Sequence, residues 1–180
     1  WVHHSTRGWS YGGGVTDPRT GEIIKGHVSL GSLRVRQDYL IAQGLLSPFK
    51  DNGTTAPEME KMALARLRQL SAHEVGHTLG LAHSYASSTE GKASVMDYPH
   101  PDAKLIDGKV NLDNAYDDKI GAWHKISITW GYSDFADGTD EKKALNKIML
   151  NAVQNGLSFL SDQDARPRGS SHPFAHLWDN

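Results

Sequence analysis

His73-Glu74-Val75-Gly76-His77-Thr78-Leu79-Gly80-Leu81-Ala82-His83 is the stretch on which the reading of this 180-residue chain turns. His73 and His77 are four residues apart. On a helix such a pair emerges on one face, one turn apart, so two imidazoles can converge on one ion. Glu74 follows the first of them. It lies far enough round the helix to miss the ion and near enough to reach a coordinated water, which is the position of a general base. Gly80 has no Cβ, so it can end the helix in the left-handed conformation and let the chain return His83 to the same ion. Three neutral imidazoles leave a fourth position for water, the open arrangement of a catalytic zinc site rather than a closed structural one. Nitrogen ligands without thiolate suit zinc, although copper, cobalt or nickel could occupy the same donors in vitro. This joint spacing arises by chance in a chain of this length on the order of once in 10⁵. A helix whose histidines merely pack or face solvent leaves that spacing unexplained.

Upstream, Met59, Met62, Ala63, Leu67 and Leu70 recur at three- and four-residue intervals, and Pro57 suits a first helical turn. One helix is therefore expected from Pro57 to Gly80. Residues 47 to 56 read as a loop, and Ser32 as the N-cap of a helix over roughly 33 to 46. Residues 8 to 30 read as a β-hairpin, with Trp9, Tyr11 and Val15 on one arm and Ile23, Ile24, Val28 and Leu30 on the other. Asp17-Pro18-Arg19-Thr20-Gly21 is its turn. Gly12, Gly13 and Gly14 weaken the first arm as a strand, or mark a place where backbone approaches something closely. Downstream, residues 87 to 119 have no sustained periodicity. A short helix is expected over 119 to 131, ended by Gly131, with Trp123, Ile126 and Trp130 at core spacing. Another is expected over 140 to 158, capped by Asp140.

Composition narrows the function classes. Apolar residues are 38% and charged residues 22% of the chain, with a formal charge of −2, so this is a globular chain. No block of Lys or Arg forms a phosphate-binding stripe, which argues against nucleic acid as a partner. No apolar run approaches the roughly 18 residues of a membrane span. There are no cysteines, which excludes disulfides and thiolate-ligated zinc. The chain begins with Trp1 and ends on the apolar, aromatic run Ala175 to Asn180; both ends are expected to be cuts in a longer protein.

The stretch from His73 to His83 resembles the extended zinc-binding motif of the metzincins, HExxHxxGxxH. Those proteins also carry a downstream turn containing Met, and Ser94-Val95-Met96-Asp97-Tyr98-Pro99 is similar to it. The resemblance implies that Met96 supplies an apolar floor for the three imidazoles. It also implies that Tyr98, like the tyrosine of astacins and serralysins, can ligate zinc and then swing to stabilise the oxyanion. Ser84, after the third histidine, is as in matrixins, so the chain matches none of those subfamilies cleanly. Asp17-Pro18-Arg19-Thr20-Gly21-Glu22-Ile23 and Asp117-Asp118-Lys119-Ile120-Gly121 resemble segments of the bacterial Met-zincin-type family. That resemblance spans most of the chain. It implies a secreted, extracellular or periplasmic protein linked to further domains, with the hairpin arm at 22 to 30 as an edge strand antiparallel to bound substrate.

The expected fold is α+β: a small twisted sheet over an active-site helix in residues 1–83, and a mainly helical subdomain with the Met-turn in 84–180. The expected function is peptide-bond hydrolysis by a zinc metalloendopeptidase, with His73, His77 and His83 as metal ligands, Glu74 and Tyr98 as catalytic residues, and Gly80 and Met96 supporting the site. A zinc-binding scaffold without turnover and a hydrolase of non-peptide amides are the rival readings; an intact Glu74 speaks against the first of these. Among weaker signals, the acidic run from Asp113 to Asp118 is read chiefly as solvated and helix-capping, with Ca²⁺ as the lesser alternative, since the twelve-residue loop pattern is missing. His172 and His176 have ligand-like spacing, but Pro173 disfavours helix at His172.

Overall fold

A computed structural model of the chain describes residues 2–3, 9–46, 57–91, 93–165 and 172–174. The loop expected at 47–56 and the terminal run from Ala175 lie outside the described residues. The chain divides into two compact units, Trp1–Gly80 with Pro99–Asp118 and Leu81–Tyr98 with Lys119–Asn180. The secondary structure is α+β, as expected, with several helices and two small sheets.

In the first unit, β1 (Val2–His3), β2 (Tyr11–Thr16) and β3 (Ile23–Gly31) form a sheet in the order β1-β3-β2. β2 and β3 are antiparallel, and β1 runs parallel to the end of β3 at Leu30 and Gly31. The arm expected at the edge is thus flanked by β1 only at its end, at Leu30 and Gly31, and among the described residues Ile23 to Ser29 have no pairing to β1. The turn between β2 and β3 is held by the Asp17 carboxylate, which accepts from the Arg19 N–H at 2.8 Å and from the Arg19 guanidinium at 2.7 Å. The apolar side chains of β2 do not face the core: Tyr11 and Val15 are exposed, as is Trp9 just before the strand. Gly12 and Gly14 occupy the alternate face, paired with Val28 and Gly26. Gly12 explains that choice. A Cβ there would stand 2.0 Å from the Glu74 carbonyl oxygen, so the strand can cross the helix only without a side chain at this point. One helical turn further on, a Cβ at Gly26 would stand 2.9 Å from the Thr78 side chain.

The helix so crossed is α2 (Pro57–Thr78), 22 residues or about 33 Å long. α1 (Leu33–Leu46) packs against it, beginning where the Ser32 carbonyl accepts from the Val35 N–H at 3.2 Å. Met59, Met62, Ala42, Leu112, Ala115 and Tyr116 make a continuous buried cluster. Each fully buried methionine contributes roughly 1.5–3 kcal/mol of transfer free energy. Arg66 and Gln69 are also buried, against the apolar reading of this face. The Arg66 guanidinium donates to Gln69 Oε1 and lies 5.4 Å from the centroid of the Tyr116 ring. A buried cation is tolerated when such partners replace water.

Residues 87 to 119, read as aperiodic, contain a second hairpin: β4 (Lys104–Ile106) and β5 (Lys109–Asn111), antiparallel, joined by Asp107-Gly108. Both turn residues have positive φ, 50° and 74°, the geometry that suits the right-handed twist of a two-residue hairpin.

The second unit holds a 3₁₀ stretch at Tyr85–Glu90, α3 (Ala122–Tyr132), α4 (Glu141–Gln154) and the one-turn α5 (Asp162–Ala165). α4 starts as expected, with the Asp140 carboxylate accepting from the Lys143 N–H at 3.0 Å. It stops earlier than expected, at Asn155, with Gly156 at φ 75°. α3 differs more. It begins after Gly121, continues through Gly131 and ends at Ser133. Its buried residue is His124, whereas Trp130 is 47% exposed and so is not core. Trp123 is half-buried and stacks on Phe159 at 5.0 Å.

Candidate metal centre

Within the first unit, α2 carries His73, Glu74 and His77 near its C-terminal end. The Nε2 atoms of His73 and His77 are 3.1 Å apart, with the rings edge-on at 89°. Two nitrogens bound to one tetrahedral zinc at 2.0–2.1 Å stand about 3.3 Å apart, so this pair fits a shared ion with little adjustment. Glu74 is buried. Burial pushes its carboxyl up to about 7, against the opposing pull of the Gly12 N–H hydrogen bond and the Arg66 charge. The sheet thus reaches the helix at the one residue where a base is expected. α2 ends at Thr78, where the Gly80 N–H donates to the His77 carbonyl at 3.0 Å and Gly80 takes φ 84°.

Within the second unit, His83 is set by Tyr85, Tyr98 and Asp162. Asp162 Oδ2 accepts from His83 Nδ1 at 2.8 Å, and the Tyr85 hydroxyl donates to Asp162 Oδ1 at 2.7 Å. The Tyr85 hydroxyl is itself 3.1 Å from His83 Nδ1, and the two rings stack at 5.5 Å. Burial and the neighbouring carboxylates hold the Tyr85 phenol well above its usual range. Tyr98 is half-buried, its ring 4.6 Å from that of His83. Met96 is fully buried, and its carbonyl accepts from the Ser84 N–H at 2.8 Å, tying the Met-containing turn to the residue after the third histidine.

His124 completes this second scaffold. Its Nε2 donates to the Ala82 carbonyl at 3.2 Å, which leaves Nδ1 to accept from the Ser94 hydroxyl at 2.9 Å. Ser94 Oγ accepts in turn from the Met96 N–H at 3.2 Å. One buried histidine on α3 thus holds both the residue before His83 and the Met-containing turn. Neither His124 nor Asp162 was singled out from the sequence. Asp162 lies 79 residues from its partner, and no local pattern marks either of them.

Among the described residues, His73, His77 and His83 form the group of ligating side chains that could hold a metal ion. The acidic run at 113–118 gathers no such group among those residues. Asp113 is paired with Lys61 at 2.6 Å and with the Asn111 amide at 3.0 Å, which lowers its pKa and uses it as a surface contact. His172 accepts from the Phe174 N–H at 3.2 Å, while His176 lies outside the described residues. No helix of the described residues is long and apolar enough to cross a membrane.

No curated protein and no solved structure is matched by this chain. The family model described as Met-zincin matches residues 55–180, which takes in the whole of α2, the three histidines and the Met-containing turn. That match covers well over half of the sequence, and the chain belongs to the Met-zincin family.

Proposed function

We propose that this chain is a zinc-dependent metalloendopeptidase in which His73, His77 and His83 hold one zinc ion and Glu74 is the general base. The observation that carries the reading is the facing pair of Nε2 atoms, 3.1 Å apart, on the same helical turn as a buried glutamate. Zinc, when bound, supplies a Lewis acid that activates water and polarises a carbonyl. Glu74 takes a proton from the attacking water and hands it to the leaving amine as the peptide bond breaks. Burial keeps bulk water off the Glu74 carboxylate, and the Gly12 N–H bonds to it and holds it in place. The Tyr98 hydroxyl donates to the carbonyl oxygen as it gains negative charge, and Met96 provides an apolar floor. The substrate is a peptide or protein segment. Ca²⁺ is not assigned a role.

Bound metal and peptidase turnover, measured on one preparation together with Glu74→Ala, test this. The expected result is one zinc per chain in both proteins and a loss of turnover in the variant of about 10²–10⁴-fold. Undiminished turnover in the variant at full zinc occupancy would refute the role of Glu74. Failure of the native chain to take up zinc at neutral pH would remove the metal reading altogether. Zinc uptake with no turnover on any peptide would favour a scaffold, or a hydrolase of other amides.

A further inference from the structure

We infer that Asp162, clamped by Tyr85, is a positioning residue for the third metal ligand: it fixes the tautomer of His83 so that Nε2 is the nitrogen offered to the ion. The inference rests on the zinc site proposed above and adds to it a carboxylate–phenol brace that the motif does not contain.

The geometry is specific. A carboxylate accepts only, so the 2.8 Å contact to Asp162 Oδ2 requires the proton of neutral His83 to sit on Nδ1, and the lone pair is then on Nε2. The other carboxylate oxygen is occupied by the Tyr85 hydroxyl at 2.7 Å, so the carboxylate cannot turn without breaking both bonds. Tyr85 is fully buried and fixed in turn by its place in the 3₁₀ stretch, where its N–H donates to the Leu160 carbonyl at 2.7 Å. That last bond ties the segment carrying His83 to the one carrying Asp162, two residues from Leu160. The neighbouring acid, Asp164, is engaged with the Ser161 N–H at 3.0 Å and does a different job.

Stability does not account for the arrangement. The Asp162 side chain is 63% exposed, and an ion pair or hydrogen bond in that setting contributes about 0–1 kcal/mol. Orientation of a ligand is where such a bond has a large effect: carboxylate partners of metal-bound histidines typically change metal affinity 10–100-fold.

The experiment uses the full chain, stripped of metal. Zinc affinity is measured by competition with a chromophoric chelator for the native protein, Asp162→Ala, Asp162→Asn and Tyr85→Phe. The tautomer of His83 is read in the metal-free proteins from long-range ¹H–¹⁵N spectra. The expected result is a 10–100-fold weaker affinity in Asp162→Ala with unchanged thermal unfolding of the metal-free protein. Asp162→Asn, which keeps one acceptor oxygen, should fall between it and the native chain, and Tyr85→Phe should lose least. His83 should be protonated at Nδ1 in the native chain and shift towards Nε2 in Asp162→Ala. Affinity in Asp162→Ala within about threefold of native, outside the range typical of such partners, or an Nε2–H tautomer in the native chain, would overturn the brace and leave the metallopeptidase reading standing. A native chain that binds no zinc overturns both. Should Asp162→Ala fail to fold, an unchanged affinity in both Asp162→Asn and Tyr85→Phe overturns the brace.

Discussion

The Cα of Gly12 faces the backbone of Glu74 so closely that an added Cβ would stand 2.0 Å from the Glu74 carbonyl oxygen and 2.9 Å from its Cα. Nothing comparable surrounds Gly13, which has no atom within 4 Å of a Cβ position. Gly12→Ala should therefore push β2 off α2, at a cost of about 1–3 kcal/mol, the usual range for overpacking. The Gly12 N–H would lose its bond to the Glu74 carboxylate at the same time. Turnover should fall by more than tenfold with zinc retained, whereas Gly13→Ala should leave melting temperature and turnover close to native. Equal effects at the two positions, in melting and turnover assays, would contradict the close approach.

Ser94 accepts from the Met96 N–H and donates to His124, and it is buried. Ser94→Ala removes one bond from a buried donor, the Met96 N–H, and one from a buried acceptor, His124 Nδ1. The expected destabilisation is about 1–3 kcal/mol, read from denaturant unfolding of the metal-free protein. Ser94→Thr retains the hydroxyl and, where the extra methyl is accommodated, should recover part of the loss.

Asp17 offers a pH-dependent test remote from the metal. Its bonds to the Arg19 side chain and N–H hold its pKa below the ordinary value of 3.8. A depressed carboxylate contributes stability that is fully present above the unfolded pKa and is lost as pH falls through the folded one. Asp17→Asn should therefore melt below native at pH 7, and the two curves should converge as the pH is taken below 3.8. A gap between the melting curves that persists into strong acid would show that the charge is not what matters at this turn.

Metal removal should reverse cleanly. Imidazole ligands bind zinc only when neutral, and an imidazole in water has a pKa of about 6.5. Chelation at pH 7.5 should abolish turnover and added zinc restore it, while lowering the pH to 5 should release metal as measured by equilibrium dialysis. Full zinc occupancy at pH 4.5 would argue against three histidine ligands.

The parts of the fold legible in the sequence were those with a local cause. Met59, Met62 and Ala63 at helical spacing, Pro57 at a first turn and Gly80 at a last one suffice to draw α2. Asp140 caps α4 through a bond three residues away. Asp107-Gly108 is an equally local signal, but the three-residue strands on either side of it, with mostly exposed side chains, carry too little apolar pattern to mark a hairpin. The rest was hidden for a different reason. Tyr11 and Val15 are the large apolar residues of β2, yet they face outward because a helix backbone lies against Gly12 on the other face, and no property of β2 alone encodes the helix. Arg66 and Gln69 are buried where the guanidinium donates to the Gln69 amide oxygen and Tyr116 lies against the cation, a condition met only after folding. Trp130 has the spacing of a core residue, yet the neighbouring elements leave it exposed.

The distance along the chain between His83 and Asp162 sets a practical lower bound on any working fragment. The recognisable motif is complete by residue 83 and its Met-containing turn by residue 99, so a minimal version trimmed to those landmarks would look intact on paper. It would lack α5, and with it the Asp162 carboxylate that accepts from Nδ1 of the third histidine. Such a trimmed protein should load metal poorly despite carrying every signature residue, and boundaries for expression are better drawn beyond Ala165.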